Sequence, residues 1–200
     1  MANFNRITGV YDFLKRLVFG KQLEKAHNHF LNQISSNSKI LLIGGGTGKI
    51  LTNFDSSHQI KYLELSGDMI EKAKNMNSNT NVGFINADVL EWTTNDKFDY
   101  IITPFVLDCF NEVQLNLILS KLKTTLNKGG EWIQTDFYPK KRMHRFLIKI
   151  MYGFFRVTTN LKTTELADFD SLFKKYNFIC KRKALFCRSM VESKIYQQID

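Results

Sequence analysis

Residues 40–48 read Ile40-Leu41-Leu42-Ile43-Gly44-Gly45-Gly46-Thr47-Gly48, an apolar run that ends abruptly in glycines. A parallel strand buried on both faces needs such an uninterrupted run. Glycines at its carboxyl end let the chain turn with positive φ and bring backbone against a ligand where a Cβ would collide. Spacing then separates the known glycine loops. The dinucleotide pattern G-x-G-x-x-G accepts Gly44 and Gly46 but meets Lys49 where its third glycine belongs. The phosphate loop G-x-x-x-x-G-K-[ST] accepts Gly48 and Lys49 but meets Ile43 and Ile50 where it requires glycine and a metal-binding hydroxyl. What fits is G-x-G-x-G at Gly44, Gly46 and Gly48.

Outward from this loop, residues 60–65 (IKYLEL) read as a second strand that places Glu64 near its tip. In a doubly wound sheet, an acidic side chain there stands beside the first glycine turn and reaches both hydroxyls of a ribose. Ser66 caps a following helix with Met69, Ile70 and Ala73 on one face, and Asp68 and Glu71 favour its amino end. Residues 82–86 and 98–103 read as the third and fourth strands. Asn111 opens a helix whose Leu115, Ile118, Leu119, Leu122 and Leu126 recur at three- and four-residue steps. Residues 130–137 give a fifth strand. Residues 178–186 and 190–197 give two more, joined by Cys187-Arg188-Ser189, a link short enough only for a hairpin.

The order of these features resembles the class I methyltransferases that use S-adenosylmethionine, and the resemblance covers residues 39–197. It rests on the glycine loop, the acidic strand tip in E-L-S-G-D-M, Asp88, the stretch P-F-V-L-D-C-F at 104–110, the L-N-K-G-G turn at 126–130 and the terminal hairpin. The fold it implies is α/β: a doubly wound, mostly parallel seven-stranded sheet, Rossmann-like, with a terminal antiparallel hairpin and an N-terminal helical cap. A single domain is expected, with a cap over 1–38, a cofactor-binding core over 39–138, a basic amphipathic lid segment and helix over 139–176, and the hairpin over 177–200. The resemblance implies S-adenosyl-L-methionine as cofactor, lying against Gly44, Gly45, Gly46 and Gly48. Glu64 then holds the ribose with Leu65 beside it, Met69 rests on the adenine, Asp88 meets the adenine amino group and Val89 touches the ring. Thr103 ends the fourth strand where it enters the stretch beneath the sulfonium, and Tyr11 of the cap sits near that positive charge. Plainer readings stay open for Met69 and Tyr11 as core and for Asp88 as a cap.

Two residues depart from the family pattern. Lys128 replaces the usual proline of the G-G turn, and Leu42, two before the first glycine, stands where an acidic residue is usual. The partner implied is a small-molecule methyl acceptor, hydrophobic or anionic, as in the quinone-pathway methyltransferases this chain is similar to. No catalytic residue is assigned. Should a hydroxyl be the acceptor, Asp108, Tyr138 and His144 are candidate recipients of its proton. Two rivals use the same features: a nicotinamide-dependent reductase, and a cofactor-binding scaffold or membrane-surface partner without turnover.

Composition bounds these readings. A chain of 200 residues suffices for one α/β domain and not two. No signal-type or membrane-spanning apolar run is visible, so a cytoplasmic protein is expected. Cys109, Cys180 and Cys187 have no C-x-x-C spacing and read as reduced thiols, mostly buried, and no metal site is indicated. Charge is unevenly spread: residues 1–139 balance 14 basic against 14 acidic side chains, and residues 140–200 carry 14 against 5, which places the whole net +9 there. Its densest part, residues 140–156 (KKRMHRFLIKIMYGFFR), reads as a basic amphipathic helix. Such a helix suits a lid over the site or peripheral contact with the anionic inner face of a membrane. Nucleic acid is not expected, since no recognition motif or aromatic platform accompanies the charge.

Overall fold

A computed structural model describes residues 21–76, 81–138 and 167–199 of the chain. Seven strands form one sheet: β1 (Lys39–Ile43), β2 (Gln59–Glu64), β3 (Val82–Asn86), β4 (Phe98–Pro104), β5 (Leu126–Phe137), β6 (Phe178–Phe186) and β7 (Val191–Gln198). Their order is β3-β2-β1-β4-β5-β7-β6. The pairs from β3 through β5 are parallel, and β7 lies antiparallel to both β5 and β6. The strand order thus reverses between β1 and its neighbours β2 and β4, and in doubly wound sheets the crevice for a ligand opens at that reversal.

The apolar run at β1 explains why it is central. Leu41 and Ile43 face a core with Phe98, Ile101, Trp132 and the helices α3 (Glu112–Leu122) and α4 (Phe169–Lys175). Ile40 and Leu42 face the opposite core, with Tyr62, Ile102, Ile133 and Ala73 of α2 (Gly67–Met76). Alternation along one strand therefore buries both faces, as a parallel strand between two layers requires. A helix α1 (Gln22–Asn28) buries Leu23 and Ala26 against Phe137, Met190 and Val191, which covers the carboxyl tips of β5 and the hairpin.

The β6–β7 turn reverses the chain with Cys187, Arg188 and Ser189 all at positive φ, a conformation that non-glycine residues rarely adopt. The α3 helix starts at Asn111 in a capping box, with the Asn111 carbonyl accepting the Gln114 N–H and the Gln114 side chain accepting the Asn111 N–H. Two sequence expectations need correction. The fifth strand begins at Leu126, because the G-G turn is absorbed as a shift in the β4–β5 register, with Gly129 at φ +79. The thiols are not mostly buried: Cys109 and Cys180 are exposed and Cys187 is half-buried. Cys180 lies on the edge strand, where one side of the ladder has no layer over it. Tyr11, His144, the 140–156 segment and most of the expected cap lie outside the described residues. Among the described residues, no helix is long and apolar enough to cross a membrane.

Candidate active site

The glycine loop leaves β1 with Gly44, Gly46 and Gly48 at φ +69, +63 and +80. The first turn is closed by the Gly44 N–H donating to the Leu63 carbonyl at 2.9 Å. The glycines are not equivalent. A Cβ at Gly44 would sit 2.6 Å from Val106, at Gly45 2.6 Å from the Tyr62 ring and hydroxyl, and at Gly48 2.5 Å from Ala73 of α2. Among the described residues, a Cβ at Gly46 would meet nothing within 4 Å. Three glycines are thus spent on packing the loop, and one presents bare backbone to open space.

Two side chains from one face of β2 hold Gly46. The Tyr62 hydroxyl donates to the Gly46 carbonyl at 2.8 Å, and Glu64 Oε2 accepts the Gly46 N–H at 3.1 Å. Glu64 Oε1 accepts the Ser66 N–H at 3.0 Å. Burial pushes the Glu64 carboxyl above the ordinary range, against the lowering effect of the N–H groups of Ser66, Gly46 and Leu65. Ser66 caps α2 through its hydroxyl, 3.4 Å from the Met69 N–H, and Met69 is half-buried beside it. Leu65 is 62% exposed, with its carbonyl accepting the Asn86 amide at 2.8 Å.

Past β3, Asp88 closes its own turn, accepting the Leu90 N–H at 2.8 Å while its carbonyl takes the Trp92 N–H. Lys121 of α3 ties this turn down by donating to the carbonyls of Val89 and Leu90. Val89 and Thr103, also expected at the cofactor, are both buried. Val89 is packed into the core against α3. Thr103 is fully buried, and its hydroxyl accepts the Trp132 indole N–H at 2.9 Å, because the pleat turns it into the α3–α4 layer.

The far wall is built after β4. Phe105 takes φ +53, a conformation side chains rarely adopt, and donates its N–H to the Thr135 carbonyl at 2.8 Å. The next turn carries Asp108, 8% exposed, whose N–H donates to Asp136 Oδ2 at 3.3 Å. Asp136 is fully buried, and desolvation together with the charge of Asp108 holds its carboxyl well above the usual range. Its cross-strand partner is Glu192, equally buried, which pairs with Lys194 at 2.8 Å. Lys194 also reaches Asp170 of α4 at 2.5 Å, and Tyr196 donates to the same carboxylate at 2.6 Å. Tyr138 donates to Gln134 at 2.8 Å, and burial raises its phenol. Sequence reasoning missed Tyr62, Asp136, Glu192 and Lys194. Alternation was the available signal: Trp132, Gln134 and Asp136 on β5, and Glu192, Lys194 and Tyr196 on β7, mark one face that turns from apolar to polar towards the crevice.

A cavity of about 580 Å³ opens beside the loop, lined by Lys21, Lys25 and His29 of the α1 region and by Lys49, which is paired with Glu24 at 2.7 Å. A second, of about 660 Å³, lies at the opposite end of the strands, near Ser38, Asp99 and Gly130.

The family model for the methyltransferase domain matches residues 40–130, from β1 through the G-G stretch. Residues 40–130 therefore match a methyltransferase domain. A relative, the malonyl-[acyl-carrier protein] O-methyltransferase of Acetivibrio thermocellus, is 29% identical over 135 residues, which are 64% of this chain and 45% of that protein. The chain therefore spans less than half the length of this relative. Among solved structures, a putative methyltransferase bound to the Trm112 activator in Haloferax volcanii is similar with a TM-score of 0.76, 11% identity, and coverage of 100% of this chain and 99% of that one. The N-methyltransferase NodS of Bradyrhizobium japonicum, in complex with S-adenosyl-L-homocysteine, gives 0.69 at 13% identity over 90% of this chain and 85% of its own. At such identities the likeness to both is one of fold. The methyltransferase domain so matched begins at the glycine loop's own strand and ends on β5.

Proposed function

We propose that this chain transfers a methyl group from S-adenosylmethionine to a small metabolite of hydrophobic or anionic character. The observation that carries the reading is the contrast at Gly46, whose backbone faces open space while Glu64, at the tip of the neighbouring strand, braces it. Each Glu64 oxygen accepts one N–H and keeps a lone pair for a ribose hydroxyl. Met69, Leu65 and Asp88 stand along the β2 and β3 tips in reach of an adenine. The sulfonium, when bound, supplies the electrophilic methyl. The chain's part is alignment of acceptor and methyl, which is where proximity and orientation lower the barrier.

On the acceptor side, Tyr138 is poorly suited to take a proton, since its hydroxyl already donates to Gln134 and burial opposes its ionisation. Asp108, 8% exposed, is nearer solvent than Asp136 and Glu192 beside it. Lys21, Lys25 and Lys49 around the 580 Å³ cavity support an anionic group on the acceptor. The apolar stripe read in residues 140–156 supports a hydrophobic one, together with peripheral contact of a cytoplasmic protein with anionic membrane.

Calorimetric titration of the chain with S-adenosylhomocysteine, beside NADPH, tests the reading. Saturable binding of the first alone is expected, and binding of NADPH alone overturns it. In a folded Glu64→Ala variant, loss of charge-assisted hydrogen bonds worth about 1.5–3 kcal/mol each is expected to weaken S-adenosylhomocysteine roughly tenfold or more.

A further inference from the structure

Leu42 and Tyr62 are direct register partners on β1 and β2, and both are fully buried. They form the floor beneath the glycine loop. A Cβ at Gly45 would lie 2.6 Å from the Tyr62 ring and hydroxyl and 2.7 Å from Leu42, so the backbone rests directly on this pair. The floor side chain at position 42 is aliphatic and can bond to nothing above it. Tyr62 supplies the polar contact, its hydroxyl reaching the carbonyl of the one glycine that faces open space.

We infer that Tyr62 is a positioning residue for cofactor: its hydroxyl, with Glu64 two residues on, clamps Gly46 from both ends of the residue and sets the loop in its ligand-accepting shape before any ligand arrives. The clamp has a simple logic. Gly46 has positive φ and no side chain, so it has more alternative conformations to lose than any other residue type. A hydrogen bond on its N–H alone leaves its carbonyl free to swing. A second bond on the carbonyl fixes the peptide plane as well, and fixing it beforehand spares that ordering cost on binding. Both anchors come from one strand, so their separation is set by the β2 repeat and does not depend on the masking of the crevice by other elements.

This inference rests on the reading of the crevice as a site for S-adenosylmethionine, and its test separates the two. The probe is S-adenosylhomocysteine, titrated into the full chain and into Tyr62→Phe, which keeps the ring under Gly45 and deletes only the hydroxyl. Loss of one hydrogen bond is expected to weaken binding about five- to tenfold, while the melting temperature without ligand moves by no more than about 4 °C. A double-mutant cycle with Glu64→Gln distinguishes positioning from general support. Because both side chains act on one residue, their effects on affinity are expected to fall short of additive, whereas independent structural effects add. Wild-type binding with unchanged affinity in Tyr62→Phe, or full additivity, overturns the inference and leaves the cofactor reading standing. Absence of wild-type binding overturns the cofactor reading itself. Should Tyr62→Phe fail to fold, proton exchange at the Tyr62 hydroxyl of the unliganded wild-type chain decides: a hydroxyl proton protected by its bond to the Gly46 carbonyl supports the preformed clamp, and one exchanging as freely as in an open loop refutes it.

Discussion

On the β1–β2 side of the crevice, the walls are backbone held by neutral or singly charged groups, whereas on the β4–β5–β7 side they are ionisable side chains held by one another. Gly46 is gripped by one phenol and one carboxylate, each spending its bonds on main-chain atoms. Across the crevice, Asp108, Asp136, Glu192, Lys194 and Asp170 form a chain of ionisable groups that runs from the loop after β4, through the buried Asp136, Glu192 and Lys194, to the exposed Asp170 on α4. The first wall is indifferent to its own charge state except at Glu64. The second stores like charges at Asp108 and Asp136, with Lys194 as the cation among the described residues that offsets Glu192 and Asp170.

The largest expected effect tests whether the loop side separates folding from binding. Gly46 and Gly48 share the left-handed backbone, so an alanine costs both a similar strain of about 1–3 kcal/mol. Only Gly48→Ala drives its Cβ to 2.5 Å from Ala73, and that overpacking is expected to cost about 1–3 kcal/mol more in chemical denaturation. Gly46→Ala is expected to remain the more stable of the two and yet to lose S-adenosylhomocysteine affinity by more than about tenfold, since its Cβ enters the space where backbone must approach ligand. Equal stabilities, or affinity lost only at Gly48, would break the division between packing glycines and a presenting glycine.

The sequence made the loop side legible because its signals are local. A long apolar run, positive-φ glycines and an acidic strand tip are each read within a few residues, and all seven strands were placed by such patterns. What it hid depended on which way a side chain points across sheet layers. Thr103 lies one residue before the end of β4, and its pleat sends it to Trp132. Val89 follows Asp88 as expected, yet α3 covers it. Tyr62 looked like one more residue of a buried strand, because its bond to Gly46 closes over 16 residues. The acidic wall is assembled from positions 108, 136, 170 and 192, and no window on the sequence contains them together. Beta alternation marks Asp136 and Glu192 as sharing a face only after the β5–β7 register is known.

The second prediction reads the charge of the acceptor wall through stability. In the folded chain, burial and Asp108 hold the Asp136 carboxyl above the ordinary value near ~4 that it has when unfolded. Between those two values the native state binds the extra proton, so stability is greatest below about pH 4 with respect to this group and falls as pH rises through the folded value. The slope is at most about 1.4 kcal/mol per pH unit for one proton. Denaturation midpoints taken across that range are expected to fall with pH in the wild type and to flatten in Asp136→Asn, which keeps an oxygen for the Asp108 N–H. A slope unchanged by the substitution would mean that Asp136 is ionised at no extra cost, and the two walls would then be electrostatically alike.

The smallest effect comes from the same measurement on the opposite wall. Glu64 is also raised by burial, so its contribution has the same sign: native Glu64 retains its proton to higher pH than the unfolded side chain, and stability falls as pH climbs through its folded value. Its shift is opposed by the N–H groups of Ser66, Gly46 and Leu65, and no neighbouring carboxylate adds to it. Glu64→Gln is therefore expected to remove a shallower slope than Asp136→Asn. A steeper one would invert the comparison. Binding runs the other way: the ionised form accepts ribose hydroxyls best, so wild-type affinity for S-adenosylhomocysteine is expected to weaken as pH drops through the Glu64 value, and the weaker affinity of Glu64→Gln to stay level over that range. Opposite pH trends in stability and affinity at one carboxylate follow only if Glu64 is both buried by the fold and aimed at the ligand.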